Sequence, residues 1–435
     1  MNELSGAPAS SPADAQASRA CAPGGGETPP DQPAGRRRSI WPLFAAAVVW
    51  IAALTQRGLP LAPDEVEFFR ATKWVGQGLV PFRDFWEHHL PLQWIVFAPV
   101  ARLFANGPGV ASIVVMRWAQ MAMWVAIFAL LVRLSRRAGV DPWPALVLLL
   151  VSPSFVRKAI EYRLDVPGNL AFIAGVALIA FGASTRRWIG FGALMSIAVL
   201  TNMRLAPLVI VTAALSLFSH RRWNPRALWM LAGVAPVAAA FVGWLSITHA
   251  WPAFIDGVFR YNETSARLLE VDTFFDALLT TLWTLDVAGI AFLIAGIAGV
   301  VLAIRKPGPL QFLALLSIAS IATIALMEVQ YDYHFQSAYL LMLPLAAIAL
   351  DRVRLVPPIV AAGALVIALI QTLPSFGDAM EYQDAVMTSA DRLTKPGEKV
   401  FDGSGFALRR QPAYRYWFLT TGVRFMASRG LLEPY

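Results

Sequence analysis

Apolar residues in this chain come in long runs, separated by short polar breaks. A helix needs about 20 apolar residues to cross roughly 30 Å of hydrocarbon. On that measure the pattern predicts spans at 39–57, 110–132, 142–157, 166–183, 188–203, 205–219, 227–247, 277–304, 309–327, 337–350 and 355–373. About eleven transmembrane helices result. The run 90–105, "LPLQWIVFAPVARLFA", is short and interrupted by Pro91, Pro99 and Arg102. It is predicted to lie on, or dip into, the outer leaflet rather than cross.

Arginines and lysines give the helices a direction. Arg36–Arg38, Arg133/Arg136/Arg137, Arg186/Arg187, Arg221/Arg222/Arg226, Arg305/Lys306 and Arg352/Arg354 all fall on one side of this pattern. By the positive-inside rule that side is cytoplasmic, and the segment after 373 lies outside. Residues 1–38 are rich in Pro, Gly, Ala and Ser and poor in large apolar groups, so they read as a disordered cytoplasmic tail. A retained signal-anchor fits residues 39–57 better than a cleaved signal, because the basic end lies far from the start.

Composition agrees. The chain is 57% hydrophobic and 15% charged, against about 25% charged in a soluble domain. A net charge of +8 raises the question of nucleic acid. The cations are scattered in short clusters between apolar runs with no basic aromatic module, so topology explains them and no nucleic acid is expected. A single cysteine, Cys21, excludes an intrachain disulfide.

The opposite face collects different residues. Loops 58–109, 157–169, 202–204, 249–276 and 328–337 hold nearly all the Asp, Glu and His of the membrane region. They also hold Arg157, Lys158, Arg163, Arg204, Arg260 and Arg267. Cations there oppose the topology rule, and a bound anion is one reason for them. Arg117 and Glu328 fall near span ends, where an unpaired charge is costly, which marks both as candidate pocket liners. Residues 374–435 change character: "DAMEYQDAVMTSADRL" has helical spacing and "KPGEKVFDGSG" reads as turn, strand and turn. A small outer α/β appendage is expected.

The first loop is the densest in ionisable groups. In "PDEVEFFRATKWVGQG" a 3.6-residue period puts Phe68, Ala71 and Val75 on one face and Arg70, Lys73 and Gln77 on the other. This predicts an amphipathic helix lying on the membrane surface, with Asp64 and Glu65 at its start. Asp64 in that position is either a helix cap or a functional carboxylate. Glu87, His88 and His89 make a poor metal motif, since adjacent side chains point apart on a regular element and no HxxxH or HxH occurs. The histidines are read as hydrogen-bonding or substrate-contacting groups, with no metal ligand assigned.

The stretch "PDEVEFFRATKWVGQGLVPFRDFWEHHLPL" resembles the first outer loop of the GT-C class of polyprenyl-phosphate-sugar-dependent glycosyltransferases, which includes protein O-mannosyltransferases and lipid A aminoarabinose transferases. The matching elements are Asp64-Glu65, Gly78–Pro81, Phe82-Arg83-Asp84-Phe85 and Pro91-Leu92. Weaker likenesses are "EYRLDVPGNLAF", carrying Asp165, and "YDYHFQSAYLLMLPLAAIAL", carrying Tyr331 and His334.

The resemblance implies an all-α polytopic protein with a GT-C-like transmembrane domain over 39–373. It also implies transfer of a sugar from a polyprenyl-phosphate donor to a lipid, glycan or protein acceptor on the periplasmic face of a bacterial inner membrane. Asp64 takes the role of catalytic base, with Glu65 beside it; Asp165 positions the acceptor or shares a cation with Asp64. No cofactor is assigned, and a divalent cation is left open because members of the class differ over metal. The chemistry suits these residues. A carboxylate takes the acceptor hydroxyl proton, and the departing lipid phosphate is met by cations already in place. Candidates are Arg83, Lys158, Arg163, Arg204 and Arg260, with Asp84, His88, His89, Tyr331 and His334 as further substrate contacts. Two alternatives remain: a multi-span transporter or flippase, and an O-antigen polymerase or ligase. The apolar run 288–304 carries no charge and no halves repeat, which weighs against translocation.

Overall fold

The computed structural model describes residues 41–54, 59–104, 107, 109–218, 223–268, 275–276, 278–279, 286–305, 307–327, 332–352, six residues within 362–370, and 378–432 apart from 404, 419 and 420. Among these the chain is overwhelmingly helical. In order come α1 (Trp41–Ala53), α2 (Pro63–Gly76), α3 (Leu92–Phe104), α4 (Ala111–Arg137), α5 (Trp143–Leu150), α6 (Pro153–Ile160), α7 (Asp165–Ile179), α8 (Thr185–Thr201), α9 (Ala206–Leu217) and α10 (Met230–Ile247). A π-helical turn, Ile255–Tyr261, follows. Then come α11 (Val287–Ile304), α12 (Pro309–Ala325), α13 (Gln336–Asp351), α14 (Asp378–Leu393) and α15 (Thr421–Ser428).

Among the described residues, four helical stretches are long and apolar enough to cross a membrane: Ala111–Arg137, Pro225–Ile247, Val287–Ile304 and Tyr333–Asp351. The span expected at 142–157 is instead two helices, α5 and α6, meeting at a bend of 73°. Pro153 explains the break: it has no N–H to continue α5 and is well suited to open α6. The expected spans 166–183, 205–219 and 309–327 are shorter apolar helices, and most of 355–373 lies outside the described residues. Helices pack through small residues, as apolar helices in lipid do. A Cβ on Gly299 of α11 would lie 2.0 Å from the Leu345 carbonyl oxygen of α13.

The helix of the first loop, α2, is covered on both sides by other parts of the chain. Its buried residues include Glu67 and Arg70 as well as Phe68 and Ala71. The C-terminal segment supplies the cover. Val66, Phe69 and Trp74 share an apolar cluster with Trp94 and Phe97 of α3 and with Met387, Trp417 and Phe418. Arg70 donates to the Arg410 carbonyl (2.9 Å), and its guanidinium faces the rings of Trp74 and Trp417. Gln383 of α14 exchanges two hydrogen bonds with the Leu61 backbone, at 2.7 and 2.9 Å. Two short strands, Lys399–Val400 and Gln411–Pro412, pair in parallel within this segment. The segment therefore has the expected α/β content, and it shares its core with the first loop.

Candidate functional site

Pro63 opens α2, where its missing N–H costs nothing, and the first turn favours the carboxylates of Asp64 and Glu65. Ala62, not Asp64, occupies the N-cap position, and no side chain caps the helix. Asp64 is thus available for a tertiary contact: its Oδ2 accepts from Arg163 Nη1 at 3.0 Å. The same Nη1 donates to Glu161 Oε2 at 3.1 Å, and Arg163 Nε donates to Asp165 Oδ2 at 3.0 Å. One guanidinium gathers three carboxylates.

Neighbours complete the cluster. The Arg163 guanidinium lies 3.9 Å from the Tyr333 ring centroid, and Arg204 donates to the Tyr333 hydroxyl at 3.1 Å. Asn202 donates to Asp165 Oδ1 at 2.9 Å, and Lys158 donates to Glu161 at 3.0 Å. Asp165, Asn169, Asn202, Arg204, Tyr333 and His334 line a small cleft together with Leu205, Leu208 and Ile324.

Exposure separates the members of this cluster. The Arg163 side chain is 3% exposed, whereas that of Asp64 is 40% exposed. Asp64 Oδ1 makes no hydrogen bond among the described residues. Burial works to raise the Asp64 carboxyl, but the charge and hydrogen bond of Arg163 outweigh it and hold the group below the usual carboxylate value. Burial likewise disfavours the Arg163 charge, and Asp165, Tyr333, Asp64 and Glu161 more than offset it. Arg204 remains charged for the same reason, through Tyr333 and Asp165, although no described carboxylate forms a salt bridge with it. The arrangement offers an ionised, accessible proton acceptor beside a cation not neutralised by direct pairing.

The structure thus brings together six of the expected residues: Asp64, Asp165, Lys158, Arg163, Arg204 and His334. Others fall elsewhere. Glu65 is fully buried and its carboxylate is occupied, so the expected catalytic role does not fit. It takes Arg117 Nε at 2.7 Å, the Tyr162 N–H at 2.8 Å and the Ala62 N–H at 3.0 Å. Arg117 also donates to the Leu59 and Pro60 carbonyls. This pair ties the chain entering α2 to α4 and to the segment bearing Arg163; it positions Asp64. Arg117 is therefore a buried partner, not the pocket liner expected. Arg117→Met should strand a buried carboxylate and cost about 3–5 kcal/mol. A thermal-unfolding series should show most of that loss recovered in the Glu65→Gln/Arg117→Met double variant.

Arg83 and Asp84 pair with each other at 2.8 Å on an exposed turn, where Asp84 also accepts the Val80 N–H. Neither joins the Arg163 cluster, so their expected substrate contact is not supported by placement. Arg260 is exposed on the π-helical turn and does not line the cleft. Tyr331 and Glu328 lie outside the described residues. Sequence reading missed Glu161, Asn202 and Tyr333. The density of ionisable residues in "EYRLD" was the available signal for Glu161; for Tyr333 it was the neighbouring histidine.

A second polar cluster adjoins the first. Glu67 stands one turn after Asp64 on α2, and Glu87, His88 and His89 approach it from the irregular stretch 86–90. Because that backbone is not regular, the two histidines converge, with ring centroids 4.0 Å apart. Burial raises Glu67 well above its usual value, reinforced by Glu87 and Asp64, and burial raises Glu87 too. Burial lowers His88 well below its usual value and takes His89 to about 3, with Arg204 adding to the latter shift.

No family model matches the chain, and no curated protein matches it. Two solved structures do match. That of ArnT from Cupriavidus metallidurans in the apo state is 16% identical, with a TM-score of 0.63 over 91% of this chain and 89% of that one. That of the same protein bound to undecaprenyl phosphate has a TM-score of 0.60 at the same identity and coverage. At such low identity the likeness establishes the fold alone: this chain has the polytopic, helical architecture of those two structures.

Proposed function

We propose that this protein is an integral-membrane glycosyltransferase that moves one sugar from a polyprenyl-phosphate donor to an acceptor hydroxyl on the periplasmic face of a bacterial inner membrane. The observation that carries this reading is the Asp64–Arg163 pair: a half-exposed, ionised carboxylate fixed against a buried guanidinium, beside Arg204 and a polar cleft. Asp64 takes the proton as the acceptor oxygen attacks the anomeric carbon. The leaving phosphate gathers negative charge, which Arg204 and the remaining N–H groups of Arg163 are placed to meet. Asp165, held by Arg163 and Asn202, orients this pair.

Two further features support a lipid donor. One of the ArnT structures sharing this fold holds undecaprenyl phosphate. An apolar cavity of about 690 Å³ runs beside α1, α4, α5 and α6, reaching Ile160 one residue before Glu161, and it offers room for a prenyl chain. A transporter reading has less support, since α10 and α11, two of the helices long enough to cross a membrane, carry no charged side chain.

Arg204→Ala should weaken donor use more than acceptor use. Loss of one charge-assisted contact corresponds to about 1.5–3 kcal/mol, hence a rise in donor KM of roughly ten- to a hundredfold, read by varying donor at saturating acceptor. An equal effect on both substrates would remove Arg204 from the phosphate site. The reaction itself is tested by mass spectrometry of envelope glycolipids and glycoproteins from a deletion strain. One sugar should be missing from one class of molecule and restored by the intact gene. An unchanged glycan inventory would contradict the assignment.

A further inference from the structure

We propose that Gln383, in the C-terminal segment, is a positioning residue for the proton acceptor: by gripping the Leu61 backbone it sets Asp64 against Arg163. This role rests on the reading of Asp64 as the base, whereas the grip itself is measurable without sugar transfer.

The chain entering α2 cannot satisfy its own backbone. Pro60 and Pro63 supply no N–H, Ala62 is extended (φ −71°, ψ 148°), and residues 59–62 join no helix or strand. Buried backbone groups need partners, and here side chains provide them. Arg117 of α4 donates to the Leu59 and Pro60 carbonyls at 3.1 and 3.2 Å, and Glu65 accepts the Ala62 N–H at 3.0 Å. Leu61, 4% exposed, lies between these contacts and shares in neither. Its N–H donates to Gln383 Oε1 at 2.7 Å, and its carbonyl accepts from Gln383 Nε2 at 2.9 Å. The amide stands in for a missing strand partner, since it can donate and accept at once. The Gln383 side chain makes no other hydrogen bond among the described residues, so it is wholly committed to Leu61.

Gln383 is itself held. Met380, Gln383 and Met387 share one face of α14 at helical spacing. Both methionines pack in the apolar cluster with Phe69 and Trp74 of α2, which aims the amide between them at the helix entry. The next residue, Asp384, accepts the Val110 N–H at 2.9 Å and pins α14 to the start of α4. Asp64 follows Leu61 by three residues, and its Oδ2 meets Arg163 Nη1 at 3.0 Å. A slip of about 1 Å at a reacting group can cost about a hundredfold in rate. The C-terminal segment thereby controls the base from 322 positions along the chain.

The test compares full-length wild type, Gln383→Ala, Gln383→Glu and Tyr382→Ala in lipid nanodiscs. Tyr382 is the neighbouring residue, 71% exposed, and serves as the control. Hydrogen exchange followed by mass spectrometry should show faster exchange of the peptide spanning 59–66 in Gln383→Ala and none of that change in Tyr382→Ala. The donor for kinetics is polyprenyl-phosphate sugar extracted from the deletion strain. In Gln383→Ala, kcat should fall roughly ten- to a hundredfold while donor KM shifts no more than about twofold. Gln383→Glu gives a signature that a loosened fold would not. Its protonated carboxyl can donate to the Leu61 carbonyl and its carboxylate cannot, so its kcat relative to wild type should rise as pH falls. Unchanged exchange at 59–66 in Gln383→Ala overturns the grip, whether or not transfer is detected. Given an active wild type, a wild-type kcat in Gln383→Ala, an equal loss in Tyr382→Ala, or a flat Gln383→Glu ratio overturns the positioning role. A wild type that transfers nothing contradicts the assigned reaction instead, and the exchange result then decides the grip alone. Should Gln383→Ala fail to fold, the pH response of Gln383→Glu decides.

Discussion

Asp64→Asn is expected to reduce sugar transfer by about a hundred- to ten-thousandfold, the range of a lost general base. The amide oxygen can still accept from Arg163, so the helix entry and the cluster should survive. Binding of undecaprenyl phosphate should therefore change by no more than a few-fold. Direction of the carboxyl shift adds a second readout. Arg163 holds Asp64 below the usual carboxylate value against the opposing effect of burial. The base is thus ionised throughout neutral and mildly acidic solution, and kcat/KM should lose activity to Asp64 protonation only below the ordinary carboxylate range. An Asp64→Asn enzyme with wild-type turnover would remove this residue from the chemistry.

Arg163→Met is expected to destabilise the protein strongly. The substitution leaves Asp64, Glu161 and Asp165 facing one another without the guanidinium that links them. Removing one member of a buried charge network costs about 3–5 kcal/mol. Its pH dependence has a definite sign. In the wild type, Asp64 has a lowered pKa, so its contribution is present above the unfolded value and fades as pH falls through the folded one. In the variant, like charges and burial favour the protonated carboxylates. The stability gap from wild type should then be widest at neutral pH and narrow on acidification. Thermal unfolding at several pH values measures this. A constant gap would mean that packing against Tyr333, and not charge, is what Arg163 supplies.

Much of the arrangement was readable in the sequence because it follows from local chemistry. Pro63 followed by two acids announces a helix entry, and "EYRLD" concentrates charge just before an apolar run. The cations among the loop residues drew attention to this region, and Arg163 and Arg204 both face the Tyr333 ring. Contacts made across long sequence separations were not readable. Arg70 looks like a solvent-facing residue on a 3.6-residue wheel, and only the Arg410 carbonyl and Trp417, more than 300 positions later, account for its burial. Arg83 looks like a phosphate ligand until Asp84 beside it takes its charge. His88 and His89 point apart only on a regular element, and the backbone at 86–90 is irregular. Pairing Glu65 with Arg117 likewise depends on where α4 passes.

The most direct measurement is a structure of the protein with undecaprenyl phosphate bound, determined by electron cryomicroscopy in lipid nanodiscs. The account predicts phosphate oxygens about 2.7–3.2 Å from Arg204 or Arg163 nitrogens, with the Asp64 carboxylate facing the open side of the cleft. A phosphate seated away from both arginines, or Asp64 turned from the bound headgroup, would contradict it.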